Sequence, residues 1–312
     1  MLKIASPWIA PYTKPMLKPS SERVFDLEKL SGRVYPAIDE SVGGEPRYRA
    51  MLRLGINQTG EALRRGADTE TAGVLLLSSM QEQLSRGGVD ASAYSEYPEY
   101  QKFLQSLPKP PTRKFINLNN IANRYADVPR KTLDKAGEFE TDARHAIHLM
   151  SLAVPFAMRY YPELRPGHIA IDCLVHDFPE AIVGDTATFG MPDEDYAVKI
   201  AEEVDGLPRL ESAIGDDYAA LFHAVVTYEQ QTEPESQYVR RFDKEDPYFT
   251  HIYNRGQQLT GYYGIRSAAE FIDKTHVTTA RIAKYAGSFP LLAEDRAEFI
   301  RLTALRSDWP EA

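Results

Sequence analysis

The chain is short of several things, and each shortage removes a class of protein. It has one cysteine in 312 residues, which excludes an internal disulfide and with it the bridge-stapled secreted scaffold. Basic residues are outnumbered, 36 Lys plus Arg against 45 Asp plus Glu. The formal charge of -9 argues against extended nucleic-acid binding or a grip on anionic membrane. Tryptophan is nearly absent, with Trp8 and Trp309 as the two copies. No apolar run approaches the roughly 18 residues of a membrane-spanning helix. In the opening MLKIASPWIAPYTKPMLKPSS, prolines at 7, 11, 15 and 19 stop each apolar run before signal-peptide length, so an irregular arm is expected there.

What remains is an ordinary globular composition, 43% hydrophobic and 26% charged, which can bury a sizeable core. Cys173 sits between Ile171 and Leu174 as a small core residue does, and a reducing, cytoplasmic setting is expected. The length exceeds the usual single domain. Helical patterns bounded by Gly, Pro and Ser fill the first hundred residues: SERVFDLEKL, PRYRAMLRLGINQTGEALRR, TETAGVLLLSSMQEQLS and a weaker YPEYQKFLQSL. The prolines of SLPKPPTRK, 106–114, mark a linker. We therefore expect an N-terminal helical extension over 1–112, packed on the rest through AGVLLLSSM and AMLRLGI, and a second domain over 113–312.

Helical spacing continues beyond that boundary. His145, Leu149, Leu152 and Phe156 fall on one buried face, and the stretches GHIAIDCLVHDFPEAIVG and ESQYVRRFDKED each read as one helix. No run of period-two strands and no internal repeat is evident. The expected fold class is all-α.

His145 lies on an apolar face, His176 and Asp177 close a second apolar helix, and Asp243 follows Val239 and Phe242 on a third. Buried carboxylates beside imidazoles are costly unless a cation pairs with them. Two imidazoles and two carboxylates suit one divalent transition metal, Co, Mn, Fe, Ni or Zn, with positions left for water and substrate. Glu180, four residues after His176 and three after Asp177, falls on the same side of that helix, close enough to touch a metal-bound water. Asp185 follows Gly184, a natural helix stop, and could equally cap the next turn. His148 and His223 read as core histidines, and His168, His251 and His276 as structural or surface residues.

In this order, RHAIHLMSLA, LVHDFPEAIVGDTATF and YEQQTEPESQYVRRFDKED resemble the HD-domain metal-dependent phosphohydrolases, and within them the 5'-deoxynucleotidase branch, over about residues 115–260. The resemblance implies an HD-domain helical bundle and places the family's metal ligands on His145, His176, Asp177 and Asp243. It matches the water-orienting glutamate to Glu180 and the second catalytic acid to Asp185. It also implies a phosphate-binding arginine about fifteen residues before the first ligand, which falls on Arg130, with Lys131 and Arg124 as alternatives. Two features depart from the pattern. No tryptophan stands where relatives set an aromatic wall against the sugar, unless Tyr125 replaces it, and Asp246-Pro247 interrupts the helix after Asp243.

The implied partner is a nucleotide substrate, foremost a 2'-deoxynucleoside 5'-monophosphate. A deoxynucleoside triphosphate triphosphohydrolase is the alternative. A non-catalytic module is a third reading, against which Glu180 and Asp185 speak. Neither membrane nor extended nucleic acid is an expected partner, and a homodimer is left open.

Overall fold

The computed structural model describes residues 35–85, 112–133 and 137–310. The helices expected at 21–30 and 97–107, and most of the 106–114 linker, lie outside these. Among the described residues the fold is all-α apart from one short hairpin, and no helix is long and apolar enough to cross a membrane.

Three helices precede the proposed boundary: α1 (Tyr35–Val42), α2 (Glu45–Arg64) and α3 (Thr69–Ser85). Pro46 sits in the first turn of α2, where a missing N–H costs nothing. Asp68 caps α3 by accepting from the Thr71 amide at 2.7 Å.

Then come α4 (Thr112–Ala126), the strands β1 (Pro129–Leu133) and β2 (Phe139–Thr141), α5 (Asp142–Tyr160) and α6 (Pro166–Val175). The strands pair antiparallel, Pro129 opposite Thr141 and Leu133 opposite Phe139. Our reading of the sequence missed this hairpin because strands of five and three residues are too short to display an alternation. Thr141 ends it and caps α5.

α3 packs closely across α6, and the reason is two glycines. A Cβ on Gly73 would lie 1.9 Å from the Gly167 carbonyl oxygen, and one on Gly167 would lie 2.2 Å from that of Glu70. Only bare backbone allows this approach.

The single helix expected over 167–184 does not form. α6 ends at Val175, His176 to Pro179 make a turn, and Glu180 opens a one-turn helix, α7 (Glu180–Val183). Pro179 has no N–H to continue the ladder, so the Phe178 amide bonds to Val175 and that of Glu180 to Asp177.

The chain continues through α8 (Asp193–Ile214), α9 (Ala219–Gln230), α10 (Pro234–Asp243), α11 (Asp246–Tyr253), α12 (Gln257–Gly261), α13 (Ala268–Ile282) and α14 (Pro290–Arg306). Asp246-Pro247 does break the helix after Asp243. A buried ionic knot fixes that bend: Glu245 pairs with Arg241 of α10 and, at 3.1 Å, with Arg296 of α14.

One apolar core runs from Val42, Leu52 and Ile56 through Ile147 and Leu174 to Phe242, Phe249 and Phe299. The helices at 35–85 therefore share their interior with those after 112. A polar tie adds to this: Asp39 of α1 accepts from Arg144 at 2.6 Å and Tyr48 at 2.7 Å, and lies 3.0 Å from His148 Nε2.

Candidate metal centre

Four donors from three separate segments meet at one point. His145 comes from the first turn of α5, His176 and Asp177 from the turn after α6, and Asp243 from the last residue of α10. His145 Nε2 lies 3.0 Å from His176 Nε2 and 3.0 Å from Asp243 Oδ1. Asp177 Oδ2 lies 2.9 Å from His176 Nε2 and 3.9 Å from His145 Nε2. Donors bonded to one ion at about 2.0–2.2 Å sit about 3 Å apart, so this spacing fits a shared cation.

The tautomers make the same case. His145 Nδ1 faces Asp246 Oδ2 at 3.1 Å, and His176 Nδ1 faces the Cys173 carbonyl at 2.9 Å. Each Nδ1–H is donated outward, which turns both Nε2 atoms toward each other and toward two carboxylates. Such a cluster needs a positive charge, which a bound cation or a proton on His145 would supply.

The electrostatics follow from that need. Burial and Arg130 press the His145 pKa down, but hydrogen bonds to Asp243 and Asp246 outweigh them and push it up to about 10. Burial opposes the charge on Asp177, but His176 and Arg130 hold its carboxyl well below the usual range. Asp243 is held low in the same way by Lys244 and His145. Glu180 goes the other way: burial first, then Asp177 and Asp142, push it well above the usual glutamate value.

A second acidic group abuts the first. Oxygens of Asp142, Asp177 and Glu180 lie within 4.8 Å of one another. Arg130 threads this group, donating to Asp142 at 3.1 Å and to Asp177 at 2.5 Å, 3.6 Å from Glu140. Its guanidinium is a built-in counter-charge for the half-buried Asp177 and the buried Asp142 and Glu140. Glu180 Oε1 takes a 3.4 Å contact from Lys199, whereas its buried Oε2 has no hydrogen-bond partner.

These groups open into a cleft of about 110 Å³ lined by His176, Asp177, Glu180, Asp185, Arg130 and Lys131, among others. Asp185 accepts the Lys131 backbone amide at 3.0 Å, which ties the strand carrying Arg130 and Lys131 to the turn after α7. Arg124 does not join them: it is exposed on α4 beside a separate depression lined by Asn117, Asn120 and Ala213. Tyr125, the suggested substitute for the absent tryptophan, is buried against Phe178 and does not line the cleft. His223 and His276 are exposed. His148 is a core residue, and His251 is buried in the cleft wall, with its pKa lowered by burial to about 3.

Sequence reading overlooked Asp142, Asp246, Lys199 and Glu140. Two of them carried a signal: Asp142 precedes His145 by one helical turn, and Asp246 follows Asp243 by three residues. Lys199 carried none, because it meets the site from a separate helix, and Glu140, five residues before His145, lies in the hairpin that the sequence did not display.

A family profile described as HD domain matches residues 122–284, just over half of the chain. A protein named Nucleoid occlusion protein from Oceanobacillus iheyensis is 32% identical over 119 residues, which are 36% of this chain and 40% of that one. The chain thus spans about two fifths of that relative's length. A crystal structure described as Predicted metal-dependent phosphohydrolase, from Magnetospirillum magnetotacticum MS-1, superposes with a TM-score of 0.49 at 21% identity. It covers 62% of this chain and 95% of that one.

Proposed function

The chain belongs to the HD domain family, and from that premise we propose that it is a metal-dependent phosphohydrolase that releases phosphate from 2'-deoxynucleoside 5'-monophosphates. The observation that carries the reading is the convergence of His145, His176, Asp177 and Asp243, each carboxylate within 2.9–3.9 Å of a histidine Nε2, on a cleft that also holds Arg130 and Glu180.

Those four side chains would hold one divalent transition metal. When bound, such an ion polarises a phosphoryl oxygen and lowers the pKa of water. Glu180, whose buried Oε2 has no hydrogen-bond partner, takes up a proton from the attacking water through that oxygen. Arg130 and Lys131 neutralise the phosphoryl oxygens. Asp185 positions both by holding the Lys131 amide.

Charge pairing favours a monophosphate over a triphosphate. The other cations of the cleft wall are already matched: Lys199 with Glu203, Arg240 with Glu229, Lys244 with Asp243 and Arg296 with Glu245. Among the described residues Lys131 is the cleft cation with no carboxylate partner, and Arg130 is itself paired with Asp142 and Asp177, so each phosphoryl group beyond the first would have to break further pairs.

The test is a metal-supplemented screen of the purified protein against nucleoside mono-, di- and triphosphates, with products read by phosphorus NMR. Inorganic phosphate from deoxynucleoside monophosphates, with ribonucleotides poorer, is expected. Tripolyphosphate from a deoxynucleoside triphosphate, with monophosphates untouched, would replace this reading with the triphosphohydrolase. No release from any of them would end both.

A further inference from the structure

The cleft has an aromatic flank that the metal chemistry does not use. Phe189, in the loop between α7 and α8, and Tyr263, in the loop between α12 and α13, both line it, with ring centroids 5.0 Å apart. Phe189 is backed by the fully buried Phe271, nearly parallel at 6.2 Å, and Phe271 rests in turn on Trp309. Tyr263 lines the same cleft as Asp185, Arg130 and Gln258. The flank thus adjoins the groups assigned to the phosphate. It extends outward through Tyr262, edge-on to Tyr263 at 5.0 Å, to Phe139 on β2, edge-on to Tyr262 at 5.7 Å.

Aromatic rings held open in a cleft and braced from behind by the core are preorganised for a flat ligand, because little side-chain entropy is lost on binding. The two rings are tilted by 54°, so they cannot clamp a planar group between parallel faces. A flat heteroaromatic ring lying on Phe189 would meet Tyr263 by its edge, which is the favoured arrangement for a third ring in such a corner.

We infer that Phe189 and Tyr263 form the nucleobase subsite of the cleft, Phe189 supplying the stacking face and Tyr263 the edge. This rests on the nucleotide reading above for the identity of the flat group. Stacking on an aromatic face is tolerant of which base is presented, since every base has a π face. The subsite therefore selects a nucleotide over a simple sugar phosphate without reading one base.

The experiment measures binding by calorimetry, apart from turnover, using unphosphorylated deoxyadenosine and inorganic phosphate as separate probes. Phe189→Leu keeps the apolar bulk and removes the π face, and Phe189→Trp restores one. The leucine variant should bind deoxyadenosine roughly five- to a hundredfold more weakly than wild type. The tryptophan variant should recover most of that loss, and both should bind phosphate as wild type does.

Equal deoxyadenosine affinity in the leucine variant overturns the subsite, as does a wild type that fails to bind the nucleoside at about 10 mM. Loss of phosphate binding along with nucleoside binding also overturns it, because the change then acts on the whole cleft. Failure of the function reads differently: a protein that binds deoxyadenosine through Phe189 but hydrolyses no nucleotide keeps the subsite and loses the activity.

Discussion

His145 Nδ1 stands 3.1 Å from Asp246 Oδ2, and both side chains are buried. The break in the helix after Asp243 gains a purpose from this contact. Asp243 ends α10 and lies 3.0 Å from His145 Nε2 in the proposed metal site, while Asp246, three residues later at the start of α11, holds the same imidazole from behind. One bend in the chain would supply both a proposed ligand and the group that orients another.

Removing the orienting group should weaken the metal without abolishing its site. Asp246→Ala is expected to lower affinity for the divalent ion by 10- to 100-fold, the usual cost of losing the outer partner of a ligating histidine. Titration of metal into stripped protein measures it. His176→Ala and Asp177→Ala, which delete donors, should leave almost no metal by elemental analysis; full occupancy in either would refute the proposed ligand set.

Glu180→Gln should keep the metal and lose turnover by about 10²- to 10⁴-fold, because the amide cannot take up a proton. Steady-state rates with metal content measured on the same sample decide this. A rate within about threefold of wild type would remove Glu180 from the mechanism, and metal loss would make it a ligand.

The tie at Asp39 predicts an acid-sensitive contact between α1 and α5. Burial opposes its charge, but His148 and Arg144 outweigh it and bring the pKa down to about 2 from 3.8. Since the folded value is the lower one, the stabilisation is complete above about pH 4 and fades as pH falls toward 2. The shift corresponds to about 2 kcal/mol. Asp39→Asn should lose this much at neutral pH, and denaturation curves of the two proteins should converge near pH 2. A constant gap across that range would show that the pairing contributes nothing.

Gly73→Ala tests the crossing of α3 and α6. The new Cβ would meet backbone that cannot turn aside, 1.9 Å from the Gly167 oxygen. A loss of at least about 1–3 kcal/mol is expected, read as a fall in Tm. An unchanged Tm would mean that the helices separate freely.

Much was legible in the sequence because it rests on local rules. The buried faces are written in apolar spacing, as at His145, Leu149, Leu152 and Phe156, and the all-α class follows from their number. The cost of burying His176, Asp177 and Asp243 together singles out a cation site before any coordinates are seen. Pro179 also carried a local signal: its missing N–H marks the end of a helix at His176, a consequence not drawn from the sequence alone.

The remainder belongs to tertiary structure, because it depends on groups that sequence separation hides. The family resemblance could nominate Arg130 but not reveal that its guanidinium lies between Asp142 and Asp177, and it could not tell that Arg124, six residues earlier, faces away from the cleft. The tautomer of His145 was set by a residue 101 positions away, and Glu180 meets Lys199 from a different helix. Phe189 and Tyr263 are unremarkable in their own segments, and they form one flank only because Phe271 and the core behind it bring two loops together. Local backbone chemistry determines which segments are helical and which faces are buried; convergence of side chains from distant segments is decided by packing, where long-range contacts set each position.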